Sequence, residues 1–187
     1  AYTQSLFEKV LVLDPQNDEA MYGLANLYVR SNNLGDAEKL INEISLYDSS
    51  SQKFILLQKS FEAAKDQNEL VESNKILEEA RMFSSNKDYD SAIKSFNEYL
   101  LNDPNNKSVQ FELANVYISN SELDKSIKIY DDLLKSKSDY EIEKQRAKVY
   151  LWNGDSLLAL QEFRKLNQKY PDDVETKLLL GDAYLQN

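Results

Sequence analysis

Three pairs of adjacent carboxylates are the first residues in this sequence that could do chemistry. Two carboxyl groups with separated pKa values can act as a general acid and a general base. Neighbouring residues on a helix point about 100° apart, however, and the pattern supplies no apolar pocket that would separate the two pKa values. We therefore interpret the pairs as parts of solvated helix faces. They are Glu78 with Glu79, Asp131 with Asp132, and Asp172 with Asp173.

The sequence offers few residues that could bind a metal or a cofactor. The chain contains no histidine and no cysteine, which excludes Cys and His nucleophiles and the ordinary ligands of zinc, haem and iron–sulfur clusters. Residues 14–18 and 103–106 place Asp and Asn as a calcium loop does, but they lack the glycine and the final glutamate of that loop. We predict capped turns there, no catalytic residue, no metal site, no cofactor and no enzymatic activity.

Charge and hydropathy narrow the partners. The formal net charge is −10 over 187 residues, and the acidic residues are spread through every segment, so we predict no nucleic acid partner. No apolar run approaches the ~18 to 20 residues of a membrane-spanning helix, so we predict no direct membrane insertion. The four glycines, three prolines and scarce β-branched alternation indicate an all-α chain. The absence of cysteine leaves the compartment open.

The elements that carry these residues recur along the chain. Pro15, Pro104 and Pro171 each follow an apolar helical stretch, and proline lacks the amide donor that would continue the helix. A first helix then carries a small residue followed three places later by an aromatic one, and a second helix carries a small residue followed four places later by a bulky one. Both spacings put two side chains on one helix face, which predicts antiparallel hairpins. The first-helix pairs are Ala25 and Tyr28, Ala80 and Phe83, Ala114 and Tyr117, Ala147 and Tyr150, and Gly181 and Tyr184; the second-helix pairs are Ala37 and Ile41, Ala92 and Phe96, Ser126 and Tyr130, and Ala159 and Phe163.

This pattern resembles the tetratricopeptide repeat family, whose unit of ~34 residues is a helix, a tight turn and a second helix. The resemblance implies an all-α, right-handed superhelical solenoid of antiparallel helix hairpins with about eleven helices. We predict a single solenoid fragment of a longer repeat protein over residues 1–187. Its parts are a half repeat at 1–17, repeats at 18–51, 73–106, 107–139 and 140–173, and the first helix of a further repeat at 174–187.

Residues 52–72 depart from the repeat. We predict an irregular helical insertion there, with a helix at about 52–66, a break near Asp66-Gln67-Asn68, and a longer helix to about Ser84. The alternation of first and second helices should break in this segment. It is either an insertion or a junction between two blocks of repeats.

The resemblance also implies a ligand-binding surface. In the family, ligand-facing places on the first helix lie about three places before and one place after the small residue, and one turn further on. Carried onto this chain, they imply a non-catalytic scaffold that binds a peptide or protein segment in a concave groove by stacking, amide hydrogen bonds and charge pairing. These candidates are Tyr22, Asn26, Arg30, Leu77, Arg81, Ser85, Phe111, Asn115, Ser119, Lys144, Lys148 and Trp152.

Three interpretations compete with parts of this site. Tyr22 stands where members that bind chaperone tails carry a lysine, so that partner is not predicted. Trp152, just before the predicted helix C-cap Gly154, is expected to pack between repeats rather than to contact a ligand. The basic side chains are expected to form ion pairs or a solvated face rather than a ligand clamp. They are Arg81, Lys144, Arg146 and Lys148, with Glu141, Glu143 and Asp182 as expected partners.

Two alternative functions stay open. The stretch from Ala147 to Glu175 is similar to repeats of bacterial envelope proteins that accompany exopolysaccharide export. This similarity implies a glycan-contacting or assembly role, with Trp152 and tyrosines stacking on sugars, and it favours the bacterial periplasm or cell envelope over the cytoplasm. Self-association through the terminal repeats is the other alternative, because the last helix has apolar residues without a partner in the sequence. They are Leu178, Leu180, Ala183 and Tyr184.

Overall fold

The structure, a computed structural model, describes residues 2–135 and 137–186. The regular secondary structure of these residues consists of ten α-helices. The all-α repeat fold predicted from the sequence is confirmed, with one helix fewer than the predicted number. The helices are α1 (Tyr2–Leu13), α2 (Asp18–Arg30), α3 (Leu34–Asp48), α4 (Gln52–Ser85), α5 (Tyr89–Asn102), α6 (Lys107–Ser119), α7 (Leu123–Leu134), α8 (Tyr140–Trp152), α9 (Ser156–Lys169) and α10 (Val174–Leu185).

The chain forms two compact units, one ending at Asn74 and the other starting at Lys75. In the first unit α1 packs on α2 and α2 on α3, and in the second each helix from α5 to α10 packs on the next. None of the helices in the described residues is long and apolar enough to cross a membrane.

Four helical hairpins close with the same backbone turn. After α2, the N–H of Asn33 donates to the carbonyl of Tyr28 (2.9 Å) and the N–H of Asn32 donates to that of Val29 (3.1 Å). This pair of bonds is typical of a helix end at which the residue after the cap, here Asn32, has a left-handed backbone conformation. The left-handed residues have φ angles of 57°, 62°, 61° and 83°; in chain order they are Asn32, Lys87, Ser121 and Gly154. Three of the four turns therefore place a side chain where glycine is sterically favoured, and the predicted C-cap glycine is confirmed at Gly154.

The turns between hairpins are closed by side-chain caps. The Oδ1 atom of Asn17 accepts a hydrogen bond from the N–H of Ala20 at 3.1 Å, and that of Asn106 accepts one from the N–H of Val109 at 3.2 Å. Each cap satisfies a donor that the first turn of a helix leaves unpaired. The Asp- and Asn-rich stretches are thus capped turns, as predicted.

The first unit is built around close contact between α2 and α3. Ala25 and Ala37 are fully buried, so the two helices approach closely. The beginning of α4 contributes to the same core through Phe54, Leu57 and Phe61. The small residues predicted from the repeat pattern therefore lie where helices meet.

Gly23 shows a second close approach in the first unit. A Cβ atom at this position would lie 2.4 Å from Cζ of Phe7, which is closer than packed atoms allow. The glycine therefore makes room for the Phe7 ring, which brings α1 against α2.

The second unit repeats the packing of the first. In three hairpins, small residues of both helices are fully buried, and a buried bulky side chain lies four places after the second small residue. The small residues are Ala80, Ala92, Ala114, Ser126, Ala147 and Ala159, and the bulky ones are Phe96, Tyr130 and Phe163. The final helix, α10, joins this core through Ala183 and Leu180, while Leu178 and Tyr184 remain exposed.

The predicted break near Asp66-Gln67-Asn68 is wrong, because α4 runs without interruption from Gln52 to Ser85. The segment contains neither glycine nor proline, and Asp or Asn inside a helix costs less than about 0.7 kcal/mol relative to alanine. Residues 65–72 are all exposed. The continuous helix explains why ten helices are found rather than about eleven.

Candidate functional site

A cavity in the second unit brings four of the predicted ligand-facing residues together. It has a volume of about 290 Å³ and lies between the end of α4 and α6, with Phe96 of α5 in its wall. We call it the α4–α6 cavity. Its lining includes Arg81, Ser85, Asn115 and Ser119, together with Ser84, Glu112 and Val116, which the sequence analysis did not single out.

Arg81 is held in this cavity by Glu112. Its Nε atom donates to Oε2 and its Nη2 atom to Oε1 of Glu112, both at 2.7 Å. This bidentate pairing raises the pKa of Arg81 above its usual value, chiefly through the hydrogen bonds to the carboxylate. The two charges cancel locally, so Arg81 offers its remaining N–H donors without a net positive charge. Glu112 was not predicted as a partner of Arg81. Two signals could have identified it: its opposite charge, and its separation from Arg81 of 31 residues, which is close to one repeat length.

Asn115 is oriented by a buried tyrosine. The hydroxyl of Tyr130 donates to Oδ1 of Asn115 at 3.1 Å, so this contact uses the carbonyl of the amide and not its Nδ2 donors. Burial raises the pKa of Tyr130 to about 12, so the hydroxyl keeps its proton at neutral pH. The Phe111 ring packs against that of Tyr130 with centroids 5.7 Å apart. Phe111 is therefore half-buried against the core rather than free to stack on a ligand.

The serines of the cavity supply acceptors. The Ser85 hydroxyl donates to the carbonyl of Met82 at 2.7 Å, and the Ser119 hydroxyl donates to that of Asn115 at 3.0 Å. Because each hydrogen is used within its own helix, the oxygens remain able to accept hydrogen bonds from a ligand.

Lys144 and Lys148 converge on Glu175 of α10. Lys144 is only 7% exposed, and its Nζ atom lies 2.9 Å from Glu175 and 3.2 Å from Glu141. Hydrogen bonds from Lys148 and Lys144 lower the pKa of Glu175 to about 2. The predicted pairing with Glu141 is present, but Glu175, which also binds Lys148, was missed. Both lysines join α8 to α10.

Arg146 does not belong to the same face as these lysines. Its Nη1 atom donates to Asp131 of α7 at 2.6 Å and its Nη2 atom to Glu162 of α9 at 2.8 Å. Burial alone would lower the pKa of Arg146, but the hydrogen bond to Asp131 and the charge of Glu162 raise it overall. The side chain ties three helices together, and neither partner is among those predicted.

Tyr22 is a core residue in the first unit, contrary to the predicted stacking role. It is 1% exposed, and its hydroxyl donates to Asp48 at 2.7 Å. Burial is the main cause that raises the pKa of Tyr22 to about 12. Its neighbour Asn26 donates to the carbonyl of Tyr22 at 2.9 Å, and Arg30 is exposed.

Leu77 and Trp152 complete the predicted set. Leu77 packs against the core cluster around Phe96, so it supports the helix contact rather than presenting a binding face. Trp152 is 56% exposed, which overturns its expected packing between repeats. The last turn of α8 thus places an accessible indole at a predicted ligand-facing position.

No group of three or more potential metal ligands occurs among residues 2–135 and 137–186. The carboxylates of Glu175, Asp131 and Asp48 instead bind a lysine, an arginine and a tyrosine side chain, respectively. These contacts use the carboxylates for packing and orientation.

Comparisons with known proteins identify the family of the repeat. A family model described as tetratricopeptide repeat matches residues 3–59 and 84–148, more than half of the chain. Comparison with curated protein sequences gives no significant match.

Three solved structures are similar to this chain. The TPR domain of P58(IPK) has a TM-score of 0.51 and 16% identity over 98% of this chain and 50% of that one. A chain of the APC/C hetero-tetramer Cut9–Hcn1 has a TM-score of 0.51 and 19% identity over 96% and 39%. A tetratricopeptide repeat protein from Parabacteroides merdae ATCC 43184 has a TM-score of 0.45 and 16% identity over 97% and 63%. The chain thus spans less than two thirds of each of them. From the family match, the chain belongs to the tetratricopeptide repeat family, whose fold is in general a non-catalytic scaffold for protein–protein interaction.

Proposed function

We propose that the chain holds an extended segment of a protein partner in the α4–α6 cavity. The observation that carries this proposal is the convergence of Arg81, Ser85, Asn115 and Ser119 on one cavity from two helices. The resemblance to the repeat family implies ligand-facing roles for the same four positions. A scaffold of this family would use such a surface to bind rather than to react.

The cavity offers both kinds of hydrogen-bonding group that a peptide backbone requires. Asn115 and Arg81 present N–H donors for backbone carbonyls, and the oxygens of Ser85 and Ser119 accept from backbone N–H groups. The Arg81–Glu112 pair has no net charge, so an acidic tail is not favoured over a neutral segment. Selectivity would then come from side chains that flank the backbone contacts.

Site-specific photo-crosslinking tests this function. A photoreactive phenylalanine analogue at Ser85 or Ser119, in the full chain incubated with an extract of the source cells, should give a discrete protein adduct. The same analogue at Lys94, which is exposed on α5 outside the cavity, is the matched control. Equal adducts at the inner and outer positions would show that the cavity has no preference for the partner.

A second set of variants separates the cavity chemistry from stability. Asn115→Ala removes the amide donors and should reduce the adduct at least tenfold. Exchange of the charged pair, Arg81→Glu with Glu112→Arg, retains an ion pair but relocates the donors, and it should reduce capture without loss of helicity by circular dichroism. Full capture by both variants would refute the proposed contacts.

One observation favours a second candidate function. Trp152 presents an exposed indole, and aromatic faces are suited to stacking on sugar rings. A glycan-contacting repeat of a bacterial envelope or exopolysaccharide export system would use it. Soluble cellulose, alginate and dextran fragments should then shift and protect Trp152 fluorescence from acrylamide quenching, whereas unchanged quenching at saturating glycan would count against this function.

A further inference from the structure

A second cavity lies on the other side of α6, between α5 and α7. Its volume is about 430 Å³, and it shares no lining residue with the α4–α6 cavity. Its walls include the apolar side chains of Leu100, Leu113, Tyr117 and Ile129, and Lys125 and Lys128 stand at its edge. We call it the α5–α7 cavity. Its size falls in the range of sites that enclose a small ligand or a large side chain.

The corresponding space is occupied in the hairpin of the first unit. Gln110 precedes Leu113 by three residues, as Met21 precedes Leu24. Met21 is only 3% exposed, and the Tyr47 hydroxyl donates to its sulfur at 3.1 Å. Gln110 instead turns its Nε2 atom toward the carbonyl of Pro104, 2.7 Å away. The α5–α7 cavity therefore opens where an apolar side chain is missing.

The next hairpin of the second unit carries a long charged side chain where this one has Leu113. Arg146 takes the position of Leu113 in that repeat and lies between Asp131 and Glu162. Its guanidinium bridges α7 and α9. The residue that corresponds to Gln110 in that repeat is Glu143, so the two hairpins line this place with different side chains.

The edge of the α5–α7 cavity selects for charge. Lys125 lies over the Tyr117 ring, 5.2 Å from its centroid, and pairs with Glu122. Lys128 is exposed beside it. The lining carboxylate, Asp132, is bound by Lys135 at 2.6 Å. Because Lys125 is paired with Glu122 and Asp132 with Lys135, the excess positive charge at the rim is that of Lys128. This local charge favours acidic groups beside the cavity, against the net charge of −10 of the whole chain.

We propose that the α5–α7 cavity binds an aromatic side chain of a partner protein that is flanked by acidic residues. The cavity volume of about 430 Å³ is large enough for an aromatic ring, and Gln110 stands where the repeat pattern of the family has tryptophan. The ring packs on Tyr117 in an offset or edge-to-face arrangement. One flanking carboxylate pairs with Lys128 at the rim, and the other competes with Glu122 for Lys125, so these contacts add selectivity more than affinity.

Methyl NMR of the full chain with defined peptides tests this site. Titration with the tripeptide acetyl-Glu-Trp-Glu-amide should give saturable shifts at the methyls of Leu113 and Ile129. The peptide acetyl-Lys-Trp-Lys-amide should bind at least threefold more weakly at low salt, and acetyl-Glu-Ala-Glu-amide should give no saturable shift. Absence of saturation with the first peptide, or equal affinity for all three, would overturn the proposal.

A cavity-filling variant provides the matched comparison. Gln110→Met restores the residue type that the first unit has at this place and should weaken the Glu-Trp-Glu peptide at least tenfold, with helicity retained. Gln168→Met makes the same change at an exposed site on α9 and should bind as the unaltered chain does. Unchanged binding to Gln110→Met would overturn the site. Tighter binding of free indole-3-acetate than of the peptide would assign the cavity to a small molecule and overturn the protein partner.

Discussion

Substitution of Lys87 by glycine is expected to stabilise the chain, although it removes a side chain. Lys87 closes the α4–α5 hairpin at φ 62°, where a residue with a Cβ costs roughly 1–2 kcal/mol. Glycine removes this cost but loses about 0.5–1 kcal/mol through the greater freedom of the unfolded chain. The expected net gain is about 0.5–1 kcal/mol, or about 1–4 °C in Tm for a chain of this length.

The two hydrogen bonds of the turn define the readout. The N–H of Lys87 donates to Ser84 at 3.1 Å and that of Asp88 donates to Phe83 at 3.0 Å, and both amides should exchange more slowly in Lys87→Gly. Amide exchange is preferable to a single melting curve because repeat proteins often unfold in parts.

Lys94→Gly is the matched control for the turn. Lys94 is an exposed residue within α5, where glycine should destabilise the helix by about 1 kcal/mol. The same substitution should therefore have opposite signs at two positions seven residues apart in the sequence. A loss of stability in Lys87→Gly as large as that in Lys94→Gly would refute the reasoning from the left-handed turn.

Three further variants probe the ion pairs and the buried tyrosine. Arg146→Ala should cost about 2 kcal/mol in urea denaturation, because it leaves the half-buried Glu162 without its arginine, and the pair of changes Arg146→Met and Glu162→Leu should recover most of this loss. Glu175 has a pKa lowered to about 2, so its contribution to stability is complete above the unfolded pKa of about 4.5 and is lost as pH falls toward 2. Glu175→Gln should therefore reduce the pH dependence of amide protection in α10 between pH 4.5 and 2, by a small amount because the carboxylate is half-exposed. Tyr130→Phe should cost about 1 kcal/mol by removing the hydrogen bond to Asn115, and equal peptide capture by this variant would show that the amide needs no such orientation.

The fold was largely predictable because small and bulky residues recur at fixed spacing. Ala25, Ala114 and Ala147 are fully buried where helices meet, which is the position that the repeat pattern requires. The uninterrupted α4 was not predictable from the same signals, because polar residues such as Asn68 weaken a helix without ending it. The division of the chain into repeats, with an insertion at 52–72 and a new repeat from residue 73, stays a prediction.

The binding surface was predicted less well than the fold. Spacing selects a helix position, but it does not say whether a long side chain turns toward solvent or toward a neighbouring core. Tyr22 and Leu77 turn inward, whereas Arg81 and Asn115 line the cavity. The orientation of Asn115 depends on Tyr130, which belongs to the second helix of its hairpin. A contact of this kind requires knowledge of two helices at once.

The continuous helix α4 determines where a protease is expected to cleave the chain. Residues 65–72 form more than two turns in which every residue is exposed. The amide of Asn32 donates a hydrogen bond to Asn68 at 3.0 Å, but the stretch contributes no buried residue to a core, and a helix without a buried face is marginal in water. The turn tips are also exposed, but each is held by the two bonds that close its hairpin. Local opening should therefore be most frequent near residues 65–72. A protease added in small amounts should cut first within this stretch and release two fragments that each retain their buried cores.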